Sequence, residues 1–149
     1  MMIVNQYVVI QQCRFDSDFT VDWCIKDSLM EIQIPKNIIQ PLVENAMLHG
    51  LIDEEDGRIH GTIRITAEQN GNDLCLSVLD SGRGIEPELL KELNRGFVAA
   101  NLPGKHIGLK NIRERLVYLY GNRECMHIDS TLGKGTCVKI NIPLKHIEN

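Results

Sequence analysis

Two short stretches hold the residue types that chemistry needs. In Leu79-Asp80-Ser81-Gly82-Arg83-Gly84-Ile85 a carboxylate ends an apolar run, and two glycines follow it. A carboxylate there can accept a hydrogen bond from the amino group of an adenine. Open glycine backbone lets phosphates approach closely. In Glu44-Asn45-Ala46-Met47-Leu48-His49-Gly50 an amide and an imidazole lie four positions apart, on one face of a helix. A side-chain amide oxygen can hold magnesium. Together the two stretches suggest an ATP site.

Each residue also has an ordinary explanation. Asn45 sits among Leu42, Val43, Ala46 and Met47. From the helix alone a surface asparagine is the simpler reading, whereas a buried one needs a partner such as hydrated magnesium. His49 is placed to cap a helix C-terminus or to contact nucleotide. Glu44, offset from Asn45 by about 100°, can be solvated. Asp80 suits the first position of a turn, and D-x-G-x-G is short enough to arise by chance. His106-Ile107-Gly108-Leu109-Lys110-Asn111 opens a helix whose free N–H groups could seat a phosphate. It is equally an ordinary loop-to-helix joint. Thr131-Leu132-Gly133-Lys134-Gly135-Thr136 reads singly as a hairpin turn. Arg113 and Arg115 read as charges on a solvated helix face, either of which could bridge to phosphate.

The elements that must position these residues follow from periodicity. Phe19, Val21, Trp23 and Ile25 alternate with polar residues and predict a half-buried strand. Pro35 and Asn37 announce a helix through Ile38, Leu42, Val43, Ala46 and Met47, with Gly50 as its stop. Pro41 sits awkwardly in that helix, so its regular part is expected to start there. Strands are expected at 62–68 and 74–79, joined by a hairpin turn at 70–73. A short helix follows at 86–94, then a loose loop at 96–106. The helix expected at 109–120 turns Ile112, Leu116 and Leu119 inward and stops at Gly121. A final hairpin pairs 126–130 with 136–142. Residues 6–15 are apolar enough for a strand or the last turns of a helix. These elements predict an α+β, two-layer α/β sandwich, its mixed, mostly antiparallel sheet covered by helices on one face.

Composition bounds the class. A chain of 149 residues is the usual size of one domain. A hydrophobic share of 43% with 24% charged residues is ordinary for a globular domain. A net charge of −4 argues against a nucleic-acid partner. Cys13, Cys24, Cys75, Cys125 and Cys137 lack C-x-x-C spacing and are expected as small buried hydrophobes in a reducing cytoplasm. No apolar run approaches the ~18 residues of a membrane span. The start of the chain lacks the basic region of a signal peptide.

The order and spacing of all four motifs go further than any one of them. An asparagine helix, D-x-G-x-G, a G-L-x-N helix start and G-x-G-T before a terminal strand resemble the Bergerat-fold ATP-binding domain of gyrase, MutL and the sensor histidine kinases. A narrower likeness lies in Ile34-Pro35, Gln40-Pro41-Leu42-Val43-Glu44-Asn45-Ala46, His49-Gly50 and Gly108-Leu109-Lys110-Asn111-Ile112-Arg113-Glu114-Arg115-Leu116. These resemble the LytS/YesM-type histidine kinases. Tyr7 and residues 10–15 resemble the tail of the segment that precedes their ATPase domain. The resemblance implies residues 1–15 as that tail and 16–149 as the ATPase domain.

The resemblance also implies roles. Asn45 would hold magnesium and His49 would meet the nucleotide. Asp80 would bind the adenine amino group above Gly82 and Gly84. Residues 96–106 would form the lid over ATP. Gly108, Leu109 and Asn111 would line the phosphate end, and Gly133, Gly135 and Thr136 would close the adenine side. Relatives often carry lysine where Leu48 stands, and many have glycine at His106. Phosphate charge would then meet Mg2+, the helix start and cations such as Lys105, Lys110 or Arg115.

Gyrase-like ATPases place a glutamate base four residues before the magnesium asparagine. That position is Pro41 here, which favours phosphoryl transfer to a histidine over hydrolysis. None of His49, His60, His106, His127 and His146 lies in the helical setting these kinases use for the acceptor. The expected function is therefore the catalytic domain of a protein histidine kinase. It would act on a histidine-bearing dimerisation segment outside this chain and signal to a response regulator through a membrane-anchored parent, with this part cytoplasmic and itself free of membrane contact. The alternatives are a non-catalytic ATP-binding or interaction module and a serine kinase of the anti-sigma type.

Overall fold

Burial of every second residue along the strands decides the architecture. Strand β2 (His60–Asn70) turns Ile63, Ile65 and Ala67 inward. Its neighbour β3 (Asp73–Asp80) turns Leu74, Leu76 and Val78 inward, and β5 (Gly135–Pro143) does so with Val138, Ile140 and Ile142. With β1 (Asp18–Ile25) and β4 (Met126–Thr131) they make a five-stranded sheet in the order β1-β2-β3-β5-β4. The β1–β2 pair is parallel and the other pairs are antiparallel. This computed structural model describes residues 18–35, 37–95, 107–121 and 123–144. The expectations for residues 1–15 and for the lid at 96–106 lie outside the described residues.

The helices are α1 (Asp27–Met30), α2 (Ile39–Asn45), α3 (Pro87–Arg95) and α4 (Ile107–Tyr120). A π-helical turn, Ala46–Leu51, continues α2 without a break, and a 3-10 turn, Arg123–Cys125, leads into β4. Leu42, Val43 and Met47 from the α2 segment and Leu109, Ile112 and Leu116 from α4 are buried in one cluster with the apolar face of the sheet. Burying one such side chain contributes roughly 1.5–3 kcal/mol. Arg64, Glu68, His127, Asp129, Lys139 and Asn141 lie exposed on the strands at positions that alternate with the buried ones. The result is the expected two-layer sandwich with helices on one face.

Several local expectations change. The α2 helix begins at Ile39, and Pro41 falls in its first turn, where no N–H is needed for the ladder. Gly50 does not stop the helix but lies inside the π turn. In α4, Leu119 is 41% exposed, and the last turn instead packs the half-buried Tyr120 against the core. Gly121 ends that helix with φ 67°, donating its N–H to the Val117 carbonyl at 2.7 Å. Among the described cysteines only Cys125 is buried. Cys24 is exposed and Cys75 and Cys137 are half-buried, since a residue between two inward-facing strand neighbours must face outward. The short α1 is four residues with none buried, too brief to show a helical period in the sequence.

Candidate functional site

The π turn sets the geometry of the site. It carries Leu48, His49 and Gly50 to the end of β3, where Asp80 stands. A Cβ at Gly50 would lie 2.7 Å from Asp80 Oδ1, and one at Gly82 would lie 2.0 Å from the Gly50 carbonyl oxygen. Only glycine allows these approaches. The Arg83 N–H then donates to the Gly50 carbonyl at 3.0 Å, pinning the loop after β3 to the π turn.

Asp80 is 3% exposed. Burial raises its pKa from 3.8 to about 6, and hydrogen bonds from the Gly82 and Thr136 backbones partly oppose that rise. The Gly82 N–H donates to Asp80 Oδ1 at 2.9 Å. The carboxylate is therefore charged at neutral pH, in a place with little water. Thr136 lies opposite it in the β3–β5 register. The Ser130 hydroxyl donates to the Gly135 carbonyl at 2.9 Å and accepts the Ile85 N–H at 2.9 Å. Its one proton is thus used, so the Thr136 hydroxyl is the donor in the 2.9 Å contact between the two side chains.

Asp80 and Thr136 open into a cleft of about 420 Å³. That volume suits a small-molecule site, for which ~300–1,000 Å³ is usual. Asn45, His49 and Gly50 line one side and Gly84, Ile85 and Leu89 another, with Leu132 also lining it. The lining is largely apolar, suited to the faces of a flat ring. Asn45 Oδ1 is buried and has no hydrogen-bond partner among the described residues. Leaving a buried oxygen unpaired costs about 1–3 kcal/mol. No cluster of three His, Cys, Asp or Glu occurs among the described residues. A magnesium ion held by one protein oxygen together with phosphates and waters fits that donor set.

Of the expected site residues, the structure brings Asn45, His49, Asp80, Gly84 and Thr136 to this cleft. Gly82, Gly133 and Gly135 shape its backbone. The Gly133 N–H donates to the Arg83 carbonyl at 2.6 Å, and a Cβ at Gly135 would lie 2.0 Å from the Asp80 carbonyl oxygen. Gly108, Leu109, Asn111 and Arg115 lie on α4, which packs against α2, and do not line the cleft. Leu109 is buried in the core, while Gly108 and Asn111 are exposed. Lys105 and His106 lie outside the described residues.

Arg113 is not the solvated charge that was expected. Its Nη1 donates to the Asn94 carbonyl at 2.8 Å, and burial lowers its pKa. Asn94 in turn pairs with both backbone groups of Ile128, at 2.8 and 2.9 Å, so its side chain acts as one residue of an added strand. Leu48, Ile52, Ile85, Leu89 and Leu132 add an apolar lining that no motif in the sequence signals, with Arg83 beside it. Arg83 stood in plain view inside D-x-G-x-G, but nothing in the motif says where its side chain turns.

Residues 31–146 match the model of the histidine kinase-, DNA gyrase B-, and HSP90-like ATPase family. The chain is 36% identical over 140 residues to the sensor histidine kinase YpdA of Escherichia coli, covering 94% of this chain and 23% of that protein. It is 30% identical over 145 residues to the sensor protein LytS of Bacillus subtilis, covering 97% of this chain and 24% of that protein. It therefore spans about a quarter of the length of these relatives. In fold it is similar to a nucleotide-free catalytic domain of the histidine kinase ThkA, with a TM-score of 0.63, 21% identity, and 95% and 89% of the two chains covered. It is also similar to a histidine kinase domain from Erythrobacter litoralis, with a TM-score of 0.62, 19% identity, and 97% and 65% covered.

Proposed function

Because the chain belongs to the histidine kinase-, DNA gyrase B-, and HSP90-like ATPase family, we propose that it is the ATP-binding catalytic domain of a sensor histidine kinase. It passes the γ-phosphate of ATP to a histidine on a dimerisation segment outside this chain. One observation carries the reading: a buried carboxylate and an unpaired buried amide oxygen line the same cleft.

Asp80 accepts from the adenine amino group, with Gly82, Gly84, Gly133, Gly135 and Thr136 shaping the base pocket. Asn45 would hold Mg2+, which when bound neutralises charge on the transferring phosphoryl group. Gly108, Leu109 and Asn111 at the start of α4 serve the phosphate end, where helix N–H groups favour anions. His49, Lys105, His106 and Arg115 add contacts or charge there. Pro41, four residues before Asn45, offers no carboxylate to activate water. An imidazole acceptor needs no such base, since it is nucleophilic at neutral pH.

Residues 1–15 would be the tail of the dimerisation segment and 16–149 the ATPase domain. The parent is a membrane-anchored kinase whose cytoplasmic part includes this chain, and it signals to a response regulator. Among the described residues no helix is long and apolar enough to cross a membrane. The test is to mix the chain with Mg2+, γ-labelled ATP and a histidine-bearing dimerisation segment from a LytS-type relative. Acid-labile label on that segment supports the proposal. ATP binding without transfer would leave a non-catalytic module, and acid-stable label on serine would indicate a kinase of the anti-sigma type.

A further inference from the structure

Arg83 ties together three chain segments through hydrogen bonds. Its backbone N–H is held by the Gly50 carbonyl at 3.0 Å, and its carbonyl accepts from the Gly133 N–H at 2.6 Å. The main chain is thus fixed between the π turn and the β4–β5 hairpin. Its guanidinium meets Ile52 and Glu54, which line the same cleft. Nη2 donates to the Ile52 carbonyl at 2.7 Å, and Nη1 meets Glu54 Oε1 at 2.6 Å. Two adjacent nitrogens of one rigid fork therefore grip a loop at two points, which a point-charge lysine cannot reproduce.

The loop so gripped is a small structure of its own. Ile52 bridges to Ile59, the Asp53 N–H donates to the Arg58 carbonyl at 2.8 Å, and the Gly57 N–H donates to the Asp53 carbonyl at 2.9 Å. Its two ends are anchored, Ile59 inside the core and Ile52 against it, but residues 53–58 between them are all exposed, so packing does not fix where that tip lies. Yet Ile52 and Glu54 line the same cleft as Asp80 and Arg83. The ion pair itself is 39% and 65% exposed. Pairs so exposed add little to global stability. A strong, two-point grip that contributes little to the fold, placed at the rim of a binding cleft, has its effect on the cleft.

We propose that Arg83, with Glu54 and the Ile52 carbonyl, is a positioning residue that fixes the exposed 53–58 tip of this loop as a wall of the base pocket and so sets affinity for the adenine end of the nucleotide. This rests on the proposed function of the cleft as an ATP site. The grip settles the loop before ligand arrives, so binding need not order it. Because it acts at the base end, its loss should weaken adenosine and Mg-ATP by the same factor.

The experiment titrates adenosine and Mg-ATP into wild type, Arg83→Ala, Arg83→Lys, Glu54→Gln and the double variant Arg83→Ala/Glu54→Gln, with the melting temperature of each. Arg83→Ala should weaken both ligands about tenfold with little change in melting temperature. Arg83→Lys should recover part of that loss, because it restores one of the two contacts. Glu54→Gln should weaken both ligands less than Arg83→Ala, and the double variant should be no weaker than Arg83→Ala alone. Affinities for both ligands within twofold of wild type in Arg83→Ala would overturn the inference. So would a loss confined to Mg-ATP, which would put Arg83 at the phosphates. A folded wild type that binds neither ligand overturns the ATP-site reading and this inference with it. Unchanged binding in Arg83→Ala beside a binding wild type overturns this inference alone.

Discussion

The two ends of the cleft are finished to different degrees. At the Asp80 end the polar groups hold one another. The Gly82 and Thr136 backbones support the carboxylate, and Ser130 uses its proton and both lone pairs on Gly135, Ile85 and Thr136. At the other end Asn45 Oδ1 is buried with no partner among the described residues. A settled network is prepared to read a rigid base by adding one hydrogen bond. An unpaired buried oxygen raises the free energy of the empty state and is offset only when a ligand arrives. Changes at the first end should therefore appear in affinity for the base; changes at the second, where the proposed metal would neutralise the transferring phosphoryl group, should appear mainly in rate.

The most severe test of that contrast is Asn45→Ala. Removing an unpaired buried oxygen costs no hydrogen bond among the described groups, so the nucleotide-free variant should unfold at or above the wild-type temperature, and nucleotide affinity should fall only moderately. Phosphoryl transfer at saturating Mg-ATP should drop on the order of a thousandfold, as expected when charge neutralisation of the transferring group is removed. Retained transfer would show that Asn45 is not the metal-holding residue.

Next in size is Asp80→Asn. A hydrogen bond to a charged acceptor is worth about 1.5–3 kcal/mol, so ATP affinity measured by calorimetry should fall roughly ten- to a hundredfold. Wild-type affinity in this variant would detach base recognition from Asp80.

The pH dependence sharpens the same point. The folded pKa of Asp80, about 6, lies above its ordinary 3.8, so the native state holds the proton more tightly than the unfolded chain. The penalty on folding is complete above pH 6, shrinks as pH falls toward 4 and vanishes below that. Wild type should therefore gain roughly 2 kcal/mol of stability relative to Asp80→Asn between pH 7 and pH 4. Adenosine has no phosphate to titrate, and its affinity should fall about tenfold from pH 7 to pH 5 as the carboxylate is protonated. A flat adenosine profile would show that the charged form is not what binds.

The smallest effect is expected away from both ends. Asn94→Ala removes two hydrogen bonds to Ile128 and should cost about 1–2 kcal/mol in denaturant unfolding. Adenosine affinity should not change. A loss of affinity there would mean that the two ends are coupled through α3 and β4.

Much of this was legible in the sequence because the strands repeat with period two and the helices with period 3.6. Those periods placed Asp80 at a strand end and Asn45 on a helix, and the motif order brought the two together. What stayed hidden depends on contacts across the fold. Gly50 reads as a helix stop, yet its job is to admit the Asp80 carboxyl. Arg113 reads as a surface charge because nothing local reveals that the Asn94 carbonyl waits for it. Cys75 sits in an apolar run yet faces outward, since burial on a one-faced sheet follows parity and not local hydropathy.

The most direct test of the central claim is a calorimetric titration of the wild-type chain with ATP and with GTP, each with magnesium. If Asp80 accepts from the adenine amino group as proposed, GTP should bind worse, because guanine presents a carbonyl at that place. ATP should bind, and GTP should bind at least roughly tenfold more weakly, the value of one lost hydrogen bond to a charged group. Equal affinities for the two nucleotides, or no ATP binding by the folded chain, would contradict it.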